Sequence, residues 1–489
     1  MSTAKTSSNK YVSLVKNVSI FAAGTLGSKL IMFFMLPFYT SRLSPELFAV
    51  SNLITDTANL LIPIITVSVI DGVIRYALDK TADKRAIFST GLLICALGFG
   101  AFLLLSPIVL FFGKISPFAL FFEGISQYVW LLCVFIFCSI ANNITSHFTR
   151  AIGFSKRFAY GGFQNTVLVV LFNLLFLLVF NLGPVGYVLS IALADLLSAI
   201  FFFVSGKLWR FVVFKFDRKL ILSMAAFSVP LIPNALFWWI NAVSDRYIIV
   251  MLMGAAATGI YVAAGKIPAV IMMVSNVFMQ AFQISAISQY DEADRGTFYA
   301  RVFNIYQALL FMAGSFIILL SQIIIRILVA SEYQTAWMFV PFLIMAVIFQ
   351  CFCNYMGSIF IAAKLTRISM ITTIAGALTN IVLNFALIPV MGQNGAALAT
   401  FVSFFFIFFT RLFLIKRRIE LPFHLFSVWL NLIIISVQAL LVIFSAYFSL
   451  WWLPCGGLSL LMLLFNGKSL FAAAKTLLSG RFKRKNNAH

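Results

Sequence analysis

About fourteen long apolar segments run through this sequence, separated by polar breaks, and they constrain its fold more than any other feature. Each is close to the roughly 20 residues that a helix needs to cross the hydrocarbon core of a bilayer. A soluble protein needs a polar surface, but 62% of the residues are hydrophobic and 10% are charged. Disorder is excluded because 16% of the chain is aromatic. The predicted fold class is all-α, a polytopic membrane protein of about 14 transmembrane helices.

We number the segments as spans 1 to 14. Their predicted bounds are 17–41, 47–72, 86–112, 127–149, 159–180, 185–206, 223–251, 257–285, 301–328, 336–362, 369–389, 395–415, 424–447 and 450–471.

The net charge of +21, from 35 Lys and Arg against 14 Asp and Glu, forms no single basic patch. If alternate connections lie on opposite sides of a membrane, 29 of these cations fall on one side, 3 on the other and 3 within spans. The positive-inside rule then predicts an even number of spans, with both termini in the cytoplasm. The basic balance therefore indicates topology, with a secondary role in contacting anionic lipid headgroups.

An internal repeat relates residues 152–198 to residues 361–406, at a spacing of about 208 residues. Short-loop chemistry alone is a competing explanation for the glycines. Because the equivalent helices are six spans apart, the copies have the same orientation and predict two parallel lobes around a cleft. The aligned pairs are Lys156 with Lys364, Asn173 with Asn380, Gly183 with Gly392 and Gly186 with Gly395.

The repeat predicts how the chain is divided. Residues 207–219 mix aromatic side chains with five cations, a composition typical of an interfacial helix, although a solvated basic linker is also consistent with it. The predicted parts are a cytoplasmic N-terminal tail (1–16), an N-lobe of spans 1–6 (17–206), a cytoplasmic amphipathic linker (207–222), a C-lobe of spans 7–12 (223–415), spans 13–14 (416–471) and a basic cytoplasmic tail (472–489).

Ionisable residues inside spans are the candidate functional residues, because each costs at least about 2.5–3.5 kcal/mol at the bilayer centre and needs a partner or water. Two interpretations stay open for them: ion pairs that only join helices, or a water-filled cavity with excess positive charge that binds an anion such as a phosphate or an acidic sugar. For Asp71 and Arg75, an i, i+4 intrahelical pair is predicted. The candidate cavity residues are Lys29, Asp56, Asp195, Asp245, Arg246 and Lys266.

The sequence offers little support for catalysis. The three histidines lie near span ends or at the terminus, and no catalytic constellation, metal-ligand spacing or nucleotide-binding loop is present. We therefore expect no enzyme activity, no cofactor and no metal, with no nucleic-acid partner. Any uphill step would draw on an ion gradient or on removal of product.

Two stretches, residues 27–75 (GSKLIMFFMLPFYTSRLSPELFAVSNLITDTANLLIPIITVSVIDGVIR) and residues 229–271 (VPLIPNALFWWINAVSDRYIIVMLMGAAATGIYVAAGKIPAVI), resemble polysaccharide repeat-unit flippases. The Asn and Gly positions of spans 11–12 match the C-terminal region of that family. These flippases, which serve O-antigen or teichoic-type polymers, belong to the multidrug/oligosaccharidyl-lipid/polysaccharide exporter (MOP) superfamily.

The resemblance implies fourteen helices, a central cavity and alternating access. It implies a cargo of undecaprenyl-pyrophosphate-linked oligosaccharide, moved to the outer leaflet of a bacterial plasma membrane, with Lys29 and Lys266 as cavity cations. Membrane lipids, a polysaccharide polymerase and a coupling ion, H+ or Na+, are the implied partners. The alternatives are an ion-coupled multidrug or cation exporter, a lipid II flippase, and a membrane-embedded transferase or assembly protein. Drug exporters commonly have a carboxylate in span 1, which is absent between Lys16 and Arg42, and lipid II flippases more often use arginines.

Overall fold

The computed structural model describes residues 27, 30–79, 81–115, 127–213, 217–290, 292, 294–417, 421–423, 425–447 and 449–467. This part of the chain contains helices and no strands. Twelve helical segments are long and apolar enough to cross a membrane. The other two predicted spans are represented by the shorter apolar helix Trp452–Gly467 and by Leu36–Arg42, the described end of span 1. The predicted fold class is confirmed.

Spans 2, 7 and 8 each consist of two helices, and span 5 ends in a π-helical turn, Leu174–Val179. Short 3-10 turns cover Leu208–Phe211, Ser331–Met338 and Ser445–Tyr447. The α-helices are Leu36–Arg42, Pro45–Ile65, Val69–Ala77, Lys84–Ile115, Val129–Ala151, Ser155–Asn173, Gly183–Ser205, Arg218–Ser228, Leu231–Met253, Ala255–Lys266, Ala269–Ser288, Arg295–Leu328, Val340–Ala362, Thr366–Met391, Gln393–Lys416, Leu425–Ile443 and Trp452–Gly467.

The described residues divide into two compact units. The first unit is Ile31–Val262, and the second contains the described residues outside that range. Span 7 therefore belongs with spans 1–6 in the first unit, whereas the sequence repeat predicts a lobe boundary within residues 207–222. The two-lobe division stays a prediction.

Span 2 is broken in the first unit at residues 66–68, where the chain leaves one helix and enters the next. Val67 and Ser68 adopt left-handed backbone with φ of 53° and 50°, which costs non-glycine residues about 1–3 kcal/mol each. Just before the break, the carbonyl oxygen of Ile65 lies against Gly98 of span 3, only 1.8 Å from where a Cβ on Gly98 would be. The broken part of span 2 therefore packs against span 3 at Gly98, where the absence of a side chain leaves room for the Ile65 carbonyl.

The two glycine turns of the sequence repeat are built alike. Gly183 and Gly392, the first glycine of each copy, both have positive φ, 55° and 59°, which glycine adopts without a steric penalty. The second glycine of each copy lies close to the preceding helix. A Cβ on Gly186 would be 3.1 Å from its nearest neighbours, and one on Gly395 would be 2.3 Å from the carbonyl oxygen of Leu387. The paired glycines thus have the same two roles in both copies.

The described residues of the predicted interfacial helix 207–219 are 207–213 and 217–219. A 3-10 turn covers Leu208–Phe211, and a span 7 helix begins at Arg218. Ser89 of span 3 holds the residues after the turn, because its hydroxyl donates to the carbonyl of Phe211 at 3.1 Å and accepts the N–H of Val213 at 2.8 Å. The first part of the predicted linker is therefore fastened to span 3 as a turn.

The second unit is organised around span 10, Val340–Ala362, the most buried of the long spans. Tyr355 lies at its centre. The ring of Tyr355 stacks on Phe282 with centroids 4.2 Å apart, and its hydroxyl donates to the carbonyl of Tyr299 at 2.7 Å. The phenol is thus buried with its one polar atom satisfied, as low-polarity packing requires.

Buried amides fasten spans 13 and 14 to span 9. The Asn431 amide of span 13 donates to Gln307 of span 9 at 3.1 Å, and the Asn466 amide of span 14 donates to Asn431 at 2.8 Å. Inter-helix hydrogen bonds of this kind contribute about 0.6–2 kcal/mol each in membranes. The C-terminal pair of spans is therefore an integral part of the second unit.

Arg411 is an exception to the charge pattern. It is one of the 29 cations counted on the cytoplasmic side, although it falls within the bounds of predicted span 12. In the structure it lies inside helix Gln393–Lys416 with 1% of its surface exposed. Its guanidinium donates to the carbonyls of Cys353 and Ser369 and to the hydroxyls of Thr372 and Thr373, at 2.8–3.0 Å. Arg411 joins spans 10, 11 and 12 through neutral oxygens.

We expect Gly98→Ala to destabilise the first unit, because the new methyl group would collide with the Ile65 carbonyl. The expected loss is about 1–3 kcal/mol, seen as a lower Tm of the purified protein. Gly100→Ala is the matched control on the same helix, since nothing lies within 4 Å of its Cβ position. Equal Tm values for the two variants would contradict the close approach.

Candidate functional site

Spans 2 and 7 are joined by charge within the first unit. The carboxylate of Asp56 accepts a hydrogen bond from the guanidinium of Arg246 at 2.6 Å, and the two side chains are 15% and 23% exposed. The Trp239 indole N–H donates to the Asp56 carbonyl at 2.9 Å. Because Trp239 and Arg246 are seven residues apart, about two helical turns, they lie on one face of span 7. We call Asp56 with Arg246 the span 2–7 ion pair.

A hydroxyl pair accompanies this ion pair. The hydroxyls of Thr57 and Tyr247, the next residue in each helix, are 2.9 Å apart. A charged and a neutral hydrogen bond therefore join spans 2 and 7 at the same level, and the polar groups of one helix satisfy those of the other.

Asp245 is buried beside Arg246 and has different partners. One oxygen accepts the backbone N–H of Arg246 at 2.8 Å, and the other accepts the hydroxyl of Tyr261 at 2.6 Å. Arg246 therefore lies between two carboxylates, Asp245 and Asp56. The sequence placed Arg246 in a network with Asp245 and Lys266 and considered Asp56 as a partner for Lys29. In the structure Asp56 pairs with Arg246.

Asp195 lies midway along span 6 and belongs to a separate cluster. Its carboxylate accepts hydrogen bonds from Ser139 at 2.6 Å, Asn142 at 2.8 Å and Asn165 at 2.9 Å. Among the residues that the structure describes, all its hydrogen-bond partners are neutral. The structure does not bring Asp195 into the group around Asp56.

The structure describes one of the two candidate lysines. Lys266 is half-buried, and it is the last residue of helix Ala255–Lys266 before span 8 breaks at Pro268. Lys29 lies outside the described residues. Their predicted role as cavity cations stays a prediction.

A cavity of about 550 Å³ lies between spans 2, 4 and 7 of the first unit. In span 2 the cavity is lined by residues at the break of residues 66–68. In span 7 it is lined by residues just after Pro230, which lies between the two helices of that span. On one side of it, the hydroxyls of Tyr76 and Ser223 are 2.8 Å apart, and on the other lies the span 2–7 ion pair. Its polar lining residues are Thr66, Ser68, Asp71, Asn143, His147 and Asn234.

The predicted intrahelical pair of Asp71 and Arg75 is wrong. Asp71 lines the cavity and interacts electrostatically with His147 of span 4. The charge of Arg75 acts instead on Asp79 in the connection after span 2. Hydrogen bonds from the N–H and hydroxyl of Thr81, with a smaller contribution from Arg75, lower the pKa of Asp79 from its ordinary value.

Several residues that build this region are not among the candidates predicted from the sequence: Tyr261, Trp239, Tyr247, Asn143, His147 and Asn234. One signal was readable, since Asn143 and His147 are four residues apart and must share a face of span 4. The others carry no local signal, because Asn, Trp and Tyr in an apolar span are compatible with any orientation.

This chain resembles known proteins both in sequence and in fold. The model of the family described as "Polysaccharide biosynthesis protein" matches residues 14–284. No curated protein matches the sequence. Several solved structures share the fold at low identity.

Three of these structures illustrate the fold. A lipid II flippase, MurJ, in an inward closed conformation is 15% identical with a TM-score of 0.68, covering 93% of this chain and 99% of that one. An inward-facing multidrug resistance MATE family transporter of the MOP superfamily is 14% identical with a TM-score of 0.66, covering 80% and 95%. A MOP superfamily transporter from Pyrococcus furiosus is 13% identical with a TM-score of 0.56, covering 84% and 95%.

The chain therefore shares its fold with transporters of the MOP superfamily, as the sequence resemblance implied. The chain itself belongs to the polysaccharide biosynthesis protein family, whose model covers more than half of its length.

The span 2–7 ion pair predicts a non-additive stability pattern. Arg246→Met removes the cation beside both Asp56 and Asp245 and is expected to destabilise the protein by about 3–5 kcal/mol, whereas Asp56→Leu leaves Arg246 beside Asp245 and is expected to cost less. The double variant removes the Asp56 charge together with that of Arg246 and is expected to be more stable than the sum of the two single losses. Thermal unfolding of the four detergent-purified proteins measures this. A double variant as unstable as the sum of the singles would show that the pair is not coupled.

Proposed function

We propose that this protein is a flippase that moves an undecaprenyl-pyrophosphate-linked oligosaccharide from the cytoplasmic to the outer leaflet of the bacterial plasma membrane, for cell-surface polysaccharide synthesis. The family membership and the fold shared with a lipid II flippase support this proposal. The observation that carries it is a polar cavity, surrounded by membrane-spanning helices, next to a charged link between spans 2 and 7. Such polar groups at membrane depth are characteristic of a path for a polar cargo. The proposal includes cytoplasmic termini, as the charge bias predicts.

Alternating access is the mechanism within this proposal. The span 2–7 ion pair acts as a latch that closes the path while the cargo occupies the cavity and separates when the path opens. An ion pair suits this role because its two charges attract strongly when they are shielded and are solvated when water enters.

A cross-link across this latch is expected to stop transport. In a variant without the six native cysteines, which are all free, Asp56→Cys and Arg246→Cys would be joined by a cleavable bis-methanethiosulfonate reagent. Flipping of a fluorescent lipid-linked oligosaccharide in proteoliposomes should fall to the protein-free rate and return after reduction. Each single-cysteine variant, treated alike, is the control. Unchanged flipping in the cross-linked protein would mean that span 7 moves together with spans 1–6 and that the latch does not open.

The pyrophosphate of the proposed cargo requires positively charged side chains along the transport path. A pyrophosphate cannot enter a region of low dielectric constant without compensating charge. Lys29 and Lys266 are proposed to supply it, since the sequence places both within spans on the opening helices of the two predicted lobes. A lysine makes a point-charge contact, which suits an anion that must also leave.

Lys29→Ala and Lys266→Ala are expected to slow flipping about ten- to a hundredfold, the loss expected for one hydrogen bond to a charged group. Lys→Arg at either site should keep part of the activity, because charge survives and geometry does not. The flipping rate per inserted protein is the measurement. Full activity in both alanine variants would place the anion site elsewhere.

A coupling ion, H+ or Na+, and a polysaccharide polymerase partner belong to the same proposal. Asp195 is the proposed ion-binding carboxylate, because its described hydrogen-bond partners are all neutral and leave its charge uncompensated. An imposed proton or sodium gradient across the same proteoliposomes should raise the flipping rate of the protein and leave Asp195→Asn unaffected. An identical response from both would remove Asp195 from this role.

One observation favours a second candidate, an ion-coupled exporter of cationic drugs. The cavity is lined by the carboxylate of Asp71, and none of its described lining residues is Lys or Arg. Uptake of ethidium into inverted vesicles, absent in Asp71→Asn, would support the exporter and count against the flippase.

A further inference from the structure

The cavity between spans 2, 4 and 7 is lined by polar side chains, and one buried polar atom among them, Nδ1 of His147, has no hydrogen-bond partner among the described residues. Beside it, Asn143 is half-buried, and Asp71 and Asn234 are exposed to the space. They come from three different helices and face one space of about 550 Å³. That volume is typical of a small-molecule site.

Other polar groups inside spans have partners within the protein. Asp56 is paired with Arg246, Asp195 accepts three hydrogen bonds, and Arg411 donates four. A buried polar atom without a partner costs about 1–3 kcal/mol, so Nδ1 of His147 at the wall of a polar cavity indicates water or a ligand there. The backbone at Val67 and Ser68 is also strained where it forms the wall, and strain of this kind clusters at ligand sites.

The chemistry of these groups defines the ligand class. Amides, hydroxyls and an imidazole both donate and accept hydrogen bonds, as sugar hydroxyl groups do. The charged lining residue is the carboxylate of Asp71, which repels phosphate and accepts hydrogen bonds from hydroxyls. The apolar lining of Ile62, Pro63 and Leu231 supplies a surface for the C–H face of a sugar ring. The cavity is therefore suited to a neutral, hydroxyl-rich group and unsuited to an anion.

We infer that this cavity is the saccharide subsite of the transport path: Asn143 and Asn234 hydrogen-bond the hydroxyl groups of the glycan, while the pyrophosphate is held elsewhere. The inference rests on the proposed flippase function and adds to it a separation of the two parts of the cargo.

Binding of two lipids to the full-length protein in nanodiscs tests the subsite. The probes are undecaprenyl pyrophosphate and the same lipid carrying one N-acetylglucosamine. The wild-type protein should bind the glycosylated lipid more tightly. Asn143→Leu and Asn234→Leu should each lose about fivefold in affinity for it, the effect of one hydrogen bond, and keep the wild-type affinity for the sugar-free lipid.

Thr149→Val is the matched control, because Thr149 is buried on the same helix as Asn143 and bonds only within that helix, to the carbonyl of Thr145. It should keep the preference for the glycosylated lipid. Asn143→Gln, which retains an amide, should keep part of the preference and shows that the fold tolerates a change there. Asp71→Asn should also keep it, since an amide still hydrogen-bonds hydroxyl groups.

Three outcomes would overturn the inference. Equal wild-type affinity for the two lipids, or an undiminished preference in both leucine variants, would show that the cavity does not recognise sugar, with the flippase function intact. Loss of all binding in Asp71→Asn alone would show recognition by charge. If the wild-type protein neither bound nor flipped either lipid, the proposed function would fail along with the subsite.

Discussion

The absence of water from the bilayer core is the constraint on which this structure depends. A polar group placed there must find its partner inside the protein, in a cavity or in a ligand. Most of the intramembrane polar groups described above meet this condition within their own unit. Asp195 takes three neutral donors, Arg411 four neutral oxygens, and spans 13 and 14 are fastened to span 9 by amides. These satisfied groups set the relative rotation of neighbouring helices.

Spans 2 and 7 show how the same constraint produces a site. Straight helices would have packed along their length, but the break at residues 66–68 and the bend at Pro230 separate them at one level. On either side they are tied together again, by Tyr76 with Ser223 and by Asp56 with Arg246. The space between the ties is lined by polar side chains, and Nδ1 of His147 is buried there without a hydrogen-bond partner among the described residues. A transport path needs both parts, a link that can separate and a space that can accept cargo.

Glycine gives the closest agreement between the sequence repeat and the structure. Gly183 and Gly392 share positive φ, and Gly186 and Gly395 share a close approach to the preceding helix. A repeated requirement of the backbone is visible in a sequence because no other residue meets it. The lysines and asparagines of the repeat carry no such restriction, and Asn173 bonds within its own helix whereas Asn380 also reaches Thr400 of the next span.

The sequence by itself determined the fold class and indicated the family, because hydropathy and segment length are local properties that add along the chain. It also indicated which ionisable residues lie at membrane depth. Only the tertiary structure decided their partners: Arg246 pairs with Asp56, Asp71 interacts with His147 and not with Arg75, and Arg411 is buried within span 12. Partners depend on the rotation and bending of helices. Rotation and bending are determined by packing between residues far apart in the sequence, such as Asp56 and Arg246, which are 190 positions apart. A local sequence pattern contains no information about such contacts.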